Sequence, residues 1–274
     1  MKRHKEKIKR IVLALALVLV ISWVIFPLYI MVKISVSSPQ EVMTQHPSFL
    51  IKDFTPDHWQ KVLSGQAIRG PLTKSLAVAT ISMIITLGIG IPAAYGISHL
   101  PKRWGYLALI AIFFTRMFPE VGIALPIAIK FLEWNLLDTN IGLALAHVIR
   151  VLPIACWILV GTFQTIPREL EEQAQIDGAT KKVVLQRIVL PLSMGGISVA
   201  AIFSWLFSWD EFTYALYLCL AQPTLPLKIY YYITRGSWFL TATYATIITI
   251  PVVIITYSLQ RFLKAGYTAG ALKG

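Results

Sequence analysis

The residue types and spacing best suited to specific chemistry lie in the longest charged break between the apolar runs of this chain. The break contains Glu172-Gln173-Ala174-Gln175-Ile176-Asp177-Gly178, then nine residues, then Ile188-Val189-Leu190-Pro191. Between residues 164 and 190 it holds four acidic and four basic side chains: Glu169, Glu171, Glu172, Asp177, Arg168, Lys181, Lys182 and Arg187. A loop that only reversed the chain would not need them. Their chemistry is ionic and hydrogen-bonded recognition, so the loop is predicted to dock onto another protein.

The same stretch carries the signals of a short helix, a turn and a second helix. Pro167 suits the first turn of a helix, where its missing N–H does no harm, and residues 168–176 follow as the helix. The acidic residues lie near the positive end of its dipole. Gly178 supplies the permissive backbone of a turn, and residues 180–190 form a second amphipathic piece. Pro191 is predicted to mark the start of the next span.

The first helix is predicted to have one apolar face and exposed acids. Ile166, Leu170 and Ala174 recur at i, i+4 and i+8 and form an apolar stripe. A helix that rested on lipid headgroups would favour basic residues instead, so protein docking is the preferred interpretation. The residues predicted to form the docking surface are Glu169, Leu170, Glu172, Ala174, Asp177, Gly178, Ile188, Leu190 and Pro191.

A second group of chemically capable residues lies inside the apolar runs, where ionisable side chains are costly and are functional candidates by default. Arg116 and Glu120 are spaced i, i+4 and are predicted to pair on one helix face. An aromatic ring beside hydrogen-bonding carboxylates suits a polar, sugar-sized solute. The candidate solute path consists of Trp209, Asp210, Glu211, Arg116, Glu120 and Arg150. The alternative, that these charges pair between helices to fix packing, stays open.

Both groups must be positioned by helices, because the composition is that of a membrane protein. The 274 residues are 56% hydrophobic and 14% charged, against about 25% charged in a soluble domain. A span needs about 20 apolar residues, and six runs are long enough: 11–34, 73–98, 104–129, 140–163, 190–220 and 240–263. The sequence therefore predicts an all-α polytopic membrane protein with about six transmembrane helices and a docking helix-turn-helix. Cys156 and Cys219 are predicted to be buried thiols.

The distribution of basic residues predicts the side of the membrane that each segment occupies. Residues 1–10 hold six Lys and Arg, and such clusters beside a span favour the cytoplasm. Six spans then place both termini and the loop 164–190 in the cytoplasm. The predicted organisation is a basic cytoplasmic N-terminus at 1–10, a first membrane anchor at 11–34, an extracytoplasmic segment at 35–72 that contains a short surface helix, a membrane core at 73–263, and a cytoplasmic tail at 264–274.

Several function classes are disfavoured. No basic-aromatic stripe accompanies the formal charge of +12, which topology and lipid contact explain, so no nucleic-acid partner is expected. No metal cluster or nucleophile–base set points to a membrane enzyme. A phosphate-binding loop is missing, because Pro71-Leu72 stands after Gly70 where Lys-Ser/Thr is needed. No cofactor or metal is therefore expected in this chain. A stand-alone secondary transporter would explain the spans but not the acidic loop.

The docking loop and its neighbours resemble a known family. The spacing from Glu172 through Gly178 to Pro191 matches the loop signature of importer permeases driven by ATP-binding cassettes, and Gln173 stands where Ala is usual. Further matching segments occur in the expected order: Thr139 to Leu143, Pro153 with Trp157, Ile166 to Leu170, Ile176 to Ala179, and Trp209-Asp210-Glu211-Phe212. The ending from Thr268 to Gly274 resembles the second permease subunit of carbohydrate importers of the maltose, trehalose and glycerol-phosphate type.

This resemblance implies an inner-membrane permease that leaves ATP hydrolysis to other subunits. Its expected partners are a homologous second permease, two ATPases that carry ATP and magnesium, an extracytoplasmic solute-binding protein and the lipid bilayer. The loop would sit on an ATPase, with Glu172 and Gly178 at the matching positions, and the tail would reach toward the ATPase pair. Alternating access would import a sugar or oligosaccharide. Polyamine, phosphate and amino-acid importers share the loop, so the solute stays open, as does whether this chain contacts it.

Overall fold

The computed structural model describes residues 2–64 and 66–271, with side chains described for 6–64 and 67–258. Within these ranges the regular secondary structure is helical, which confirms the predicted all-α class. The helices before the docking loop are α1 (Lys2–Val36), α2 (Pro39–Val42), α3 (Asp57–Ser64), α4 (Gln66–Ser98), α5 (Lys102–Phe114), α6 (Glu120–Glu133) and α7 (Asn140–Phe163). The remaining helices are α8 (Arg168–Ile176), α9 (Lys181–Val184), α10 (Leu190–Leu192), α11 (Met194–Trp209), α12 (Thr213–Leu218), α13 (Leu225–Thr234) and α14 (Trp238–Ala271).

Four helical segments are long and apolar enough to cross a membrane: Glu6–Val36, Ala67–Ser98, Asn140–Phe163 and Trp238–Ser258. Two bent helix pairs raise the number to six among the described residues if each pair is one broken span. This agrees with the predicted number of about six. The last helix continues through most of the predicted tail, whose residues 272–274 lie outside the described part of the chain.

The predicted span 104–129 is broken in its middle, so its prediction as a continuous helix is wrong. Lys102–Met117 and Glu120–Glu133 meet at 85°. Phe118 leaves helical geometry with ψ 135°, because the residue before a proline is pushed away from the α region. Pro119 then serves as the N-cap of α6.

The predicted span 190–220 is also interrupted, and Pro191 does not mark its start. Lys181–Leu192 and Met194–Trp209 meet at 82°, and the bend falls at Ser193. Leu190–Leu192 therefore ends the second piece of the docking loop. Another break follows Trp209, before α12 begins. Polar residues at these breaks lie close to neighbouring helices, as described below.

One compact unit comprises Met1–Ile68 and Ile229–Ile250. Here the chain after α1 is held by Lys33, whose Nζ lies 3.0 Å from Glu41 Oε1, with both side chains nearly buried. The predicted short helix is present as α3, but its His58 and Val62 are buried, so it is not wholly a surface helix. The His58 ring stacks on Phe239 with 4.8 Å between centroids.

The other unit comprises Arg69–Lys228 and Pro251–Gly274. A buried apolar cluster joins α7 to the docking loop and consists of Ala94, Leu159, Val160, Phe163, Ile166, Val184, Val189 and Ala200. α7 and α11 approach so closely that a side chain at Gly196 would overlap Thr162. Cys156 and Cys219 are buried free thiols, as predicted.

An ion pair ties α4 to the turn before α7 in the same unit. Lys74 Nζ lies 3.0 Å from Asp138 Oδ1, and Asp138 Oδ2 accepts the Ala221 N–H at 3.0 Å. Burial raises the pKa of Asp138, but the Lys74 ammonium and backbone N–H groups outweigh it and hold that pKa below its usual range. The turn between α6 and α7 is thereby fixed to two other segments.

Candidate functional site

The docking loop forms a helix, a turn and a second helical piece, as the sequence predicts. α8 has Pro167 at its N-cap, and Gly178 adopts φ +90°, a left-handed conformation that a glycine tolerates. Thr180 caps α9 by accepting the Val183 N–H at 3.4 Å. The second piece passes through a π-helical turn at Leu185–Val189 before α10. Local sequence signals therefore determine the shape of this loop.

The outer face of α8 combines acidic and apolar side chains. Glu169 and Glu172 are exposed, Ile176 is 86% exposed and Leu170 is 41% exposed. Within the predicted apolar stripe, Ile166 is buried, Ala174 is half-buried, and Leu170 is exposed, which agrees with its place among the predicted docking residues. The remaining predicted docking residues divide into exposed Asp177, Gly178 and Pro191, and half-buried Ile188 and Leu190.

Glu171 faces inward from α8, which corrects the expectation that every acid of the loop is exposed. Its side chain is 7% exposed. Tyr95 Oη donates to Glu171 Oε2 at 2.6 Å, and His99 Nε2 lies 3.1 Å from the same oxygen. These partners satisfy a carboxylate that would otherwise be costly to bury. A third contact, from Arg168 Nη2 to Ser98 O at 3.0 Å, also ties α8 to the end of α4.

Sequence reasoning missed this anchor. Tyr95 and His99 are spaced i, i+4 at the end of a predicted span, which shows that they share a helix face. Nothing in their spacing indicates that the face meets Glu171, which lies 76 and 72 residues further along the chain.

The break between α5 and α6 rearranges the predicted pairing of Arg116 and Glu120. Glu120 forms its ion pair with Arg150 of α7 instead. Arg116 lies in the middle of the preceding 3₁₀ turn, Thr115–Met117, and its guanidinium lies 5.9 Å from the centroid of the Phe207 ring. The i, i+4 prediction was wrong because it assumed a continuous helix through Pro119. Arg116, Glu120, Arg150 and Tyr214 line a cavity of about 60 Å³.

Glu211 is held by protein groups on both oxygens. Oε2 lies 3.0 Å from His147 Nε2, with the two side chains 4% and 1% exposed. Oε1 accepts the Tyr214 N–H at 2.7 Å, and Oε2 accepts the Ala215 N–H at 3.1 Å. Glu211 therefore caps the first turn of α12, and this combination is typical of a structural carboxylate. His147 Nδ1 lies 2.7 Å from Ser208 Oγ.

The aromatic candidates of the solute path pack against each other. Trp205 and Trp209 stack with 4.8 Å between ring centroids, and both are buried, at 9% and 1% exposure. Asp210 follows at the end of α11 and is exposed. Thus Asp210, Arg116, Glu120 and Arg150 present accessible polar atoms, whereas Trp209 and Glu211 are covered by this chain's own side chains.

Among the described residues, no three His, Cys, Asp or Glu side chains come together in a group that could hold a metal ion. The site residues form an exposed acidic helix face, a packed aromatic pair and buried or half-buried ion pairs.

Residues 86–268 match the family described as "Binding-protein-dependent transport system inner membrane component". The inner membrane ABC transporter permease protein YcjP of Escherichia coli is 29% identical over 100% of both chains. The trehalose transport system permease protein SugB of Mycobacterium tuberculosis is 31% identical over 80% of this chain and 82% of its own. The sulfoquinovosyl glycerol transport system permease protein SmoH of Agrobacterium fabrum is 32% identical over 79% and 78%.

Solved structures support the fold. The crystal structure of a bacterial ABC transporter involved in the import of the acidic polysaccharide alginate contains a chain that matches with a TM-score of 0.78. The match covers 94% of this chain and 97% of that chain at 21% identity. The family match spans more than half of the sequence and includes the docking loop, α11 and most of α14. The chain therefore belongs to the inner-membrane components of binding-protein-dependent transport systems and is an ABC transporter permease.

Proposed function

We propose that this permease imports a sugar or oligosaccharide, delivered by a solute-binding protein, using ATP hydrolysed on partner subunits. The observation that carries the proposal is the outer face of α8, where exposed acids flank an apolar side chain. The opposite face of the same helix is fixed through Glu171 to Tyr95 and His99. Ile176 is 86% exposed, and Glu169 and Glu172 are exposed beside it. An apolar residue so exposed, with charged neighbours, suits a partner pocket with basic groups around it.

The contacts that hold the docking loop against α4 and α7 would transmit a movement of α8 to these membrane spans. Glu171 connects α8 to Tyr95 of α4 and to His99, the residue after that helix. Val184 and Val189 of the second piece pack into the apolar cluster with α7. Because close-packed interiors transmit displacement rather than absorb it, an ATPase that moved α8 would shift α4 and α7 together. Alternating access driven by ATP binding and hydrolysis is the mechanism that this linkage supports.

The solute class is inferred from relatives. The names of three relatives refer to trehalose, sulfoquinovosyl glycerol and diacetylchitobiose, all carbohydrates or carbohydrate derivatives. Within this chain, Asp210, Arg116, Glu120 and Arg150 are the accessible polar groups proposed to line the path. Trp209 and Glu211 would act on the path by supporting its wall, since both are buried.

The remaining features complete the proposed assembly. A homologous second permease and two ATPases would form the transporter, with ATP and magnesium bound by the ATPases. Both termini and the docking loop would face the cytoplasm, as the basic cluster at 1–10 favours. The exposed apolar surface of α1 would meet lipid or the second permease, because none of its most apolar window is buried in this chain.

The first test is a pull-down of the tagged chain from its native membrane in mild detergent, with partners identified by mass. Recovery of an ATPase and a second permease is the expected result. Reproducible recovery of the chain alone would instead favour a self-contained carrier. The binding protein encoded nearby can then be screened against sugars, which tests the solute class separately.

The solute path is tested by Asp210→Asn combined with Glu211→Gln in the assembled transporter. Solute-stimulated ATP turnover is expected to change while the assembly persists. Glu211→Gln alone separates support of the wall from solute contact, since it leaves Asp210 in place. Unchanged uptake and apparent affinity in the double variant would remove both residues from the path.

A further inference from the structure

A cavity of about 530 Å³ opens where α4 ends, α5 begins and α8 lies against them. Its volume falls within the range of small-molecule sites, about 300–1,000 Å³. The charged lining includes His99, Lys102, Arg168 and Glu171, and the apolar lining includes Leu109 and Phe163. The cavity is thus amphipathic, with a polar end and an apolar end. The docking and transport assignments above leave it without a role.

The polar end carries uncompensated positive charge. Among the described residues, neither Lys102 nor Arg168 forms an ion pair. The carboxylate of Glu171 is already engaged by Tyr95 and His99. Lys102 also lies in the first turn of α5, where the helix dipole disfavours a cation. A bound anion would pair with Lys102 and Arg168, and it would also offset the unfavourable position of Lys102 at the positive end of the α5 dipole.

The order of residues along α5 locates the cavity at a membrane surface. Basic Lys102 and Arg103 come first, then exposed aromatic Trp104 and Tyr106, at 61% and 67% exposure. Exposed Leu107 and Ile110 follow on the same helix. Basic, aromatic and apolar residues in that order mark the passage from water through headgroups into hydrocarbon. The mouth of the cavity therefore lies at headgroup level.

We propose that this cavity binds the phosphate-bearing headgroup of an anionic phospholipid from the cytoplasmic leaflet. Lys102 and the free guanidinium N–H groups of Arg168 contact the phosphate. Leu109 and Phe163 contact the glycerol and upper acyl carbons. Because Arg168 belongs to α8, the lipid stabilises the docking helix in its observed position against α4. The proposal rests on the cytoplasmic orientation proposed above.

The test uses the assembled transporter, reconstituted in bilayers of phosphatidylcholine with or without phosphatidylglycerol. Native mass spectrometry then measures the phosphatidylglycerol retained. The variant Lys102→Gln with Arg168→Gln is expected to retain it about 30-fold more weakly, as two basic groups at an anionic surface contribute about 1 kcal/mol each. The matched control is Lys181→Gln with Lys182→Gln, which removes the same charge from exposed positions of the same loop outside the cavity.

Lys102→Gln alone guards against a folding defect, because Lys102 is exposed and only Arg168 has a backbone partner. It is expected to weaken retention by about fivefold. Equal retention by the wild type, the control and the double variant would overturn the proposal.

Two further measurements distinguish a bound lipid from free phosphate and from a partner protein in the cavity. Inorganic phosphate that protects the delipidated transporter against thermal unfolding, while phosphatidylglycerol does not, would overturn the lipid in favour of a free phosphate. Loss of the ATPase from the double variant with unchanged lipid retention would assign the cavity to a protein interface and overturn the proposal. Solute uptake by the wild-type transporter reports on importer function independently, so lipid binding and import can fail separately.

Discussion

The docking loop and a second cluster, made of Glu120, Arg150, His147 and Glu211, both contain carboxylates. The two regions differ in whether those carboxylates face solvent or pair with other side chains. On α8, Glu169 and Glu172 are exposed and have no ionic partner in the described residues. In the cluster, Glu120 pairs with Arg150 and Glu211 with His147. An exposed carboxylate is stabilised by water and stays available to a partner protein. The Glu211 carboxylate is buried, and a buried charge must find its partner within the protein.

Glu171 shows that the difference arises from environment rather than from segment. It belongs to α8, yet it is buried and held by Tyr95 and His99, as the cluster carboxylates are held. One face of a single short helix thus provides ionic groups for docking, while another fixes the helix to the spans. Under the docking proposal, the exposed charge of α8 serves recognition, whereas the buried charge of Glu171 holds the helix in position.

The largest expected effect is from breaking the buried pair with Glu211→Ala. This change leaves His147 without its carboxylate and uncaps two backbone N–H groups of α12. The free energy of unfolding is expected to fall by roughly 3–5 kcal/mol, measured by thermal or denaturant unfolding in detergent. Asp210→Ala, at the exposed neighbouring position, is the control and should change stability far less. Equal losses in the two variants would contradict the structural role of Glu211.

A large but different effect is expected from Glu172→Lys on the exposed face of α8. The chain should keep its stability, because Glu172 is exposed. Its affinity for the ATPase should fall by about tenfold or more, as reversing a charge opposite a basic pocket replaces attraction with repulsion. Co-purification and ATPase titration measure the loss, and Glu172→Gln should give a smaller one. Normal solute uptake by Glu172→Lys would refute the docking assignment.

A moderate effect distinguishes the two possible partners of Glu120. A double-mutant cycle of Glu120→Gln with Arg150→Gln is expected to give a coupling of about 1 kcal/mol, modest because both side chains are 31% exposed. The parallel cycle with Arg116→Gln should give a coupling near zero, since Arg116 lies against Phe207 instead. A larger coupling to Arg116 would restore the helix-face pairing that the i, i+4 spacing suggested.

The smallest effect is expected from Gln173→Ala, which introduces the residue usual in the family. Gln173 is exposed on α8, so the free energy of unfolding should change by less than about 0.5 kcal/mol. ATPase affinity should also stay close to that of the wild type. A clear change in affinity, measured alongside Glu172→Lys, would extend the docking surface to position 173.

Much of the fold follows from local signals that the sequence contains in full. Apolar runs predict the helices, because crossing hydrocarbon requires length and hydrophobicity along one segment. Pro167 and Gly178 predict the start of α8 and the turn after it, because both act through their own backbone. The breaks within the predicted spans 104–129 and 190–220 were missed, although Pro119 gave a usable signal before α6.

The candidate sites were predictable only in part. The exposure of acidic residues such as Glu172 follows from the pattern of the loop. The partners of Glu171, Glu120 and Glu211 do not follow, because they lie 76, 30 and 64 residues away along the chain at Tyr95, Arg150 and His147. Spacing within one helix shows which residues share a face, but it does not show what that face meets.

The sequence by itself determined the membrane class, the helical content and the docking loop with its acids, since each depends on residues close together in the chain. Only the tertiary structure decided which carboxylates face water and which are paired. That decision depends on where α4, α7 and α8 pack, and on the bend at Phe118-Pro119, after which Glu120 pairs with Arg150 rather than with Arg116. Burial sets the energetic cost of an unpaired charge, and burial is a property of the packed molecule.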